Sequence, residues 1–262
     1  MSKIKEHIES LNNSGRKALS VFLTAGFPDN NKFFDTARII LDNGADILEI
    51  GIPFSDPLAD GPVIQQSSQI ALQNGITLEK SIIAAGKLTK EFDKPIILMG
   101  YANPIISFGK ENFVKAAVEN KICGVIIPDI PIEEYDDFFE NKFAGLDTIL
   151  LTTPTSSEER IKSIDLKSSG FVYCVSVTGT TGIRYDFSDD TLINLETTYR
   201  NIIKNKMMIG FGISKPEDIK TFSPYCDGVI VGSAVIKSIM NDNNKFEKTK
   251  ELINSLSKAC NN

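Results

Sequence analysis

Apolar residues recur along the chain as eight short runs, each followed by a stretch with helical periodicity. The runs are ALSVFLTA (residues 18–25), ADILEIGI (45–52), PIILMGY (95–101), GVIIPD (124–129), TILLTTP (148–154), GFVYCVSV (170–177), MMIGFGI (207–213) and DGVIVGSA (227–234). Near-continuous apolar strands separated by amphipathic helices predict a parallel sheet covered on its outer face. Eight such units in 262 residues fit a closed (β/α)8 TIM barrel, α/β in class, forming a single domain over residues 1–262. An open, doubly wound sheet is the alternative. Ahead of the first run, Ile4, Ile8 and Leu11 share one helical face, which predicts an additional N-terminal helix packed across one end of the barrel.

Local punctuation supports the count. Phe33, Ala37, Ile40 and Leu41 form one stripe closed by Asn43 and Gly44. Pro62 opens an extra helix that Asn74 and Gly75 end. Ser156 with Glu159, and Ser214 with Glu217, have capping-box spacing. Phe246, Ile253 and Leu256 predict an outer helix over residues 244–258.

One position breaks the apolar pattern. On an extended chain Ile47, Glu49 and Gly51 share one face, and Leu48, Ile50 and Ile52 the other, so Glu49 puts a carboxyl on a buried-looking face. Burial without a counter-charge raises a carboxyl pKa toward neutrality, as a general acid/base requires, and Glu49 is read as catalytic. The segment FSDPLADGP follows at once, bringing Asp56 and Asp60. Asn103, Pro104 and Asp129 stand beyond the third and fourth runs. These polar residues gather at the C-terminal ends of the strands, where such barrels place active sites. For Asp56 and Asp129, turn formation and function are both open.

Glycines mark the last three strand ends: VTGTTG (177–182), GFGIS (210–214) and VGSAV (231–235). Backbone N–H groups freed by glycine, with a helix N-terminus, would hold a phosphomonoester using few basic side chains. The stretch 178–190 lacks apolar periodicity and reads either as a lid or as a solvated loop. Neither a Walker A loop nor a GxGxxG turn is present, so nucleotide binding is disfavoured.

Composition narrows the chemistry. One histidine and four cysteines without a CxxC pair leave no zinc site and no Cys/His nucleophile, so acid/base work falls to carboxylates, Tyr or Lys. A net charge of -6 with interspersed cations argues against nucleic-acid partners. Without an apolar run of membrane-spanning length or a signal-peptide core, the expected location is the cytoplasm, with no membrane partner.

The motifs LTAGFPD, EIGIPFSDPLADGPVIQ, LMGYANPI, PDIPIEE, YCVSVTGTTGIR, GFGIS and VGSAV run in order from about residue 16 to 240. Together they resemble the tryptophan synthase alpha subunit family. That resemblance implies a lyase splitting indole-3-glycerol phosphate into indole and glyceraldehyde 3-phosphate by a retro-aldol step, without metal or organic cofactor. It implies Glu49 as the acid/base and Asp60 as the aspartate that stabilises charge at the indole N–H. Gly182, Gly212, Gly232 and Ser233 match phosphate contacts. Phe22 and Tyr173 match the indole pocket, although aromatics there would be core in any barrel. Thr181 matches a lid threonine that orders the closed loop around Asp60.

Cys174 stands where a second aromatic is common and Thr180 where an apolar residue is common, departures expected to alter pocket packing or lid dynamics. The implied partner is a pyridoxal-phosphate (PLP) beta subunit in an α2β2 complex, touching residues 54–57, 102–105 and 129–131. A stand-alone indole-releasing lyase, and a catalytically idle activator of the beta subunit, are the alternatives.

Overall fold

A computed structural model describes residues 2–139, 142–176, 189–243 and 245–261. The strands are β1 Ala18–Thr24, β2 Ile47–Gly51, β3 Ile96–Met99, β4 Gly124–Ile126, β5 Asp147–Ile149, β6 Leu151–Thr152, β7 Phe171–Val175, β8 Lys206–Gly210 and β9 Gly228–Val231. The α-helices are α1 Lys3–Asn13, α2 Lys32–Asp42, α3 Pro62–Gln73, α4 Leu78–Glu91, α5 Ala102–Phe108, α6 Lys110–Glu119, α7 Tyr135–Phe138, α8 Glu158–Lys167, α9 Asp189–Asn201, α10 Pro216–Phe222, α11 Ser233–Met240 and α12 Glu247–Ala259.

Every strand pairing is parallel, in the order β5-β4-β3-β2-β1-β9-β8-β7-β6. The two ends of that order are consecutive pieces of the run at 148–154, so the sheet closes into the expected barrel. The first piece pairs with β4 and the second with β7. Between them Leu150 donates its N–H to Ser168 Oγ at 2.9 Å, and that side chain replaces a ladder partner and splits the run.

Strand alternation sorts the core into two layers. Ala18, Ile47, Ile97, Ile126, Ile149, Phe171, Tyr173, Met208 and Ile230 fill the barrel, together with Ile4 and Ile8 of α1. Leu19, Val21, Leu48, Ile50, Ile96 and Leu98 face outward into the layer beneath the helices. The N-terminal helix therefore plugs the end of the barrel at which the strands begin. The stripe of Phe33, Ala37, Ile40 and Leu41 is buried on α2 as its spacing predicts. Pro62 opens α3 and Asn74 caps its end.

Helix starts are less faithful to the sequence pattern. Ser157, not Ser156, caps α8 by accepting from Arg160 N, while Ser156 Oγ accepts from Thr153 N in the preceding turn. Before α10 the reciprocating acid is Asp218, which accepts from the N–H groups of Ser214 and Lys215 at 2.8 and 3.0 Å; Glu217 is not that acid. Both helices start one residue later than the spacing suggests, because Ser and acid pairs recur in neighbouring registers. The last helix likewise starts at Glu247, where Asp242 accepts from Thr249 N at 2.8 Å.

Candidate active site

Glu49 lies mid-strand in β2 and is fully buried, pointing into the barrel between Ile47 and the open rim. Ser20 of β1 donates to Glu49 Oε1 at 2.7 Å, whereas Oε2 has no partner among the described residues. Burial pushes the Glu49 carboxyl up to about 7, and the Ser20 bond opposes that rise by favouring the ionised form.

Asp60 sits in the loop joining β2 to α3 and is nearly as buried. Tyr101, just past β3, donates to Asp60 Oδ2 at 3.0 Å and accepts from Ala59 N at 3.1 Å. Phe54 packs on the Tyr101 ring, with centroids 5.4 Å apart. Burial raises Asp60 to about 6 despite the Tyr101 bond. The phenol of Tyr101 is pushed upward by burial and by the charge of Asp60, so it stays a proton donor to that carboxylate.

Both carboxyls line one cavity. Its other walls are Phe22, Ile64, Met99, Tyr173, Phe211, Gly212, Ile213, Ile230, Gly232 and Ser233. Two aromatics reach their positions because a neighbouring strand lacks a side chain. A Cβ on Gly51 would collide with the Phe22 ring, and one on Gly210 with the Tyr173 phenol. Tyr173 in turn meets Phe211 edge to face at 6.2 Å, and Phe211 and Gly212 both hold positive φ as the chain leaves β8. Burial, with the nearby carboxyls of Glu49 and Asp60, raises the Tyr173 hydroxyl well above its usual value.

The opposite wall is backbone. Gly232 caps α11 and Ser233 begins it; the N–H groups of Val235 and Ile236 donate to the Gly232 carbonyl, so those of Ser233 and Ala234, which precede the first intrahelical bond, are the ones available to an anion. Gly212 approaches from the β8 side.

The structure thus brings Glu49, Asp60, Phe22, Tyr173, Gly212, Gly232 and Ser233 around one cavity. Thr181 and Gly182 lie outside the described residues, as does Thr180 with the expected lid as far as residue 188. Asp189 and Asp190, which the sequence grouped with that stretch, are the first turn of α9. Asp129 accepts from Ala102 N through both oxygens, at 3.0 and 3.2 Å, and so fixes the start of α5. Asp56 is exposed on the rim. Cys174 alternates with Tyr173 and packs in the outer layer, away from the cavity, so its departure from the family pattern changes packing behind the strand and leaves the cavity wall alone.

Sequence reasoning missed Ser20, Ile64, Met99, Tyr101, Phe211, Ile213 and Ile230. Ser20 left a faint signal, as a hydroxyl with apolar residues on either side in the middle of its strand, and Tyr101 stood inside a quoted motif. Among the described residues no group of three His, Cys, Asp or Glu could hold a metal ion, and no helix is long and apolar enough to cross a membrane.

Similar known proteins include members of one family. The family model "Tryptophan synthase alpha chain" matches residues 8–261. The tryptophan synthase alpha chain of Petrotoga mobilis is 44% identical over 256 residues, covering 96% of this chain and 95% of its own. That of Thermoanaerobacter pseudethanolicus is also 44% identical, covering 96% of each. Among solved structures, tryptophan synthase subunit alpha from Legionella pneumophila superposes with a TM-score of 0.87 at 34% identity, over 99% of this chain and 98% of that one. A chain of Mycobacterium tuberculosis tryptophan synthase gives 0.91 at 26% identity, over 100% and 99%.

Proposed function

The chain belongs to the tryptophan synthase alpha chain family and cleaves indole-3-glycerol phosphate to indole and glyceraldehyde 3-phosphate in tryptophan biosynthesis, and within that reaction we propose that Glu49 is the acid/base and Asp60 its charge partner. The difficulty of the reaction is the leaving group. Breaking the bond between indole C3 and the glycerol carbon leaves an electron pair on an aromatic ring that holds it poorly, so the ring must first become an electron sink. Glu49 starts as the neutral acid and gives its proton to C3, turning the ring into an indolenine-like cation. Asp60, ionised, stabilises the positive charge that develops at the ring N–H. The Glu49 carboxylate then takes the proton of the hydroxyl next to the breaking bond. The C–C electrons return to the ring, the hydroxyl carbon becomes the aldehyde, and Glu49 regains the proton it gave.

The observation that carries this reading is the fully buried Oε2 of Glu49, unpartnered among the described residues, in the same cavity as Asp60. Phe22, Ile64, Tyr173 and Ile230 give indole an apolar slot. Gly212, Gly232 and Ser233, with the N-terminus of α11, take the phosphate; the contributions of Gly182 and Thr181 rest on the family resemblance.

The partner in this reading is a PLP-bearing beta subunit in an α2β2 assembly, docked on residues 54–57, 102–105 and 129–131. Leu58, 90% exposed, and Ile106, 56% exposed, each stand one residue beyond the end of one of these segments and support an apolar contact there. Indole release from indole-3-glycerol phosphate by the chain, alone and with beta subunit added, tests the proposal. Glu49→Gln should lower turnover by at least about 10³-fold while KM stays within a few-fold, since an amide cannot shuttle a proton. Wild-type turnover in that variant would remove Glu49 from the chemistry.

A further inference from the structure

We infer that Ser20 is a positioning residue for the reaction, holding one oxygen of Glu49 so that the other is presented to the substrate. The inference deepens the reading above, since it rests on Glu49 as the acid/base. Ser20 stands on β1, where it pairs with Ile47 on one side and Ile230 on the other, one inward-facing level below the Phe22–Glu49 pair. It is fully buried, and the inward-facing residues around it are apolar: Ala18, Ile47, Ile97 and Ile230. A hydroxyl placed among such residues costs stability unless it is bonded, and the bond Ser20 makes is to Glu49 Oε1 at 2.7 Å.

That bond has two effects. The terminal torsion of a glutamate is broad, so a carboxyl surrounded by aliphatic side chains has little to fix its plane. Ser20 fixes it. A hydroxyl that donates to Oε1 also leaves Oε2 to carry the proton of the neutral acid, and Oε2 is the oxygen without a partner among the described residues. Proton delivery to the ring carbon and proton removal from the neighbouring hydroxyl are then made by one oxygen held in one place. Loss of the bond would both loosen the carboxyl and remove a donor that favours its ionised form.

The test compares Ser20→Ala, Ser20→Thr and Glu49→Gln in the complex with beta subunit, measuring indole release against pH. Ser20→Ala should lower kcat about tenfold, as expected for one lost bond, with KM within about twofold. The alkaline limb of its kcat/KM profile should move upward by about half a unit or more. Ser20→Thr, which restores the hydroxyl, should return both quantities toward wild type. An unchanged kcat and limb in Ser20→Ala, with Glu49→Gln inactive, sinks the role of Ser20 alone. The same holds if kcat falls equally in the Ala and Thr variants with no movement of the limb, which is the signature of packing. Activity in Glu49→Gln would overturn the acid/base assignment, and the role of Ser20 with it. If Ser20→Ala fails to fold by thermal melting, Ser20→Cys keeps the volume with a weaker donor, and a limb left at the wild-type position there overturns the inference.

Discussion

At the scale of single residues, what distinguishes the two carboxyls is the order in which they ionise. Burial lifts both, Asp60 to about 6 and Glu49 to about 7, each restrained by one hydroxyl donor. Between those values Asp60 is ionised while Glu49 remains an acid, the pair of states from which the proposed mechanism begins. The profile of kcat/KM against pH should therefore be a narrow bell, with an acid limb near 6 from Asp60 and an alkaline limb near 7 from Glu49. Steady-state kinetics from pH 5 to 9 checks this, and Asp60→Asn should lose the acid limb along with most activity. A limb that stays in Asp60→Asn belongs to another group. Glu49 was legible in the sequence because a charge interrupted a strand alternation. The roles of Ser20 and Tyr101 were not, because they lie in contacts with residues 29 and 41 positions away.

At the scale of elements, the site is a meeting of strand ends with one helix start. The first turn of α11 opens directly on the cavity with Gly232 and Ser233, and a carboxylate introduced there would face the anion the turn is suited to hold. A Cβ at Gly232 meets only ordinary contacts, 3.4 Å from Phe22 and 3.6 Å from Ile64, so Gly232→Asp tests charge more than fit. Its KM for indole-3-glycerol phosphate should rise at least about tenfold with little loss of thermal stability; an unchanged KM would move the phosphate elsewhere. Strands and stripes were read correctly because period two and period 3.6 are local properties of the chain. Helix starts at α8, α10 and α12 drifted because Ser, Asp and Glu occur at several adjacent positions, and which of them caps is decided by where the preceding loop delivers the backbone.

At the scale of the whole molecule, the site is carried at a cost to stability. Glu49 takes its proton at about 7 when folded and at its usual 4.5 when unfolded, so the folded state binds the extra proton between those values. Stability linked to this group is fully present below about 4.5 and is lost as pH rises through about 7. Two and a half units correspond to about 3 kcal/mol. Denaturant unfolding at pH 5 and pH 8 should show Glu49→Gln gaining on the wild type by up to that amount at the higher pH. A pH-independent difference would mean that Glu49 ionises in the folded protein as it does in water.

The sequence by itself determined the eight strand runs, the helix of Ile4 and Ile8 across one end of the barrel, and the carboxyl at position 49, since each follows from spacing within a few residues. Only the tertiary structure decided that the run at 148–154 divides at Leu150 to close the ring, that Asp129 serves α5, that Cys174, expected to alter pocket packing, lies behind the cavity wall, and that Ser20 holds Glu49. Those outcomes depend on the register and stagger between strands far apart in the chain. A shift of one residue in such pairing exchanges the faces of every side chain on the strand, and no local spacing encodes which partner lies opposite.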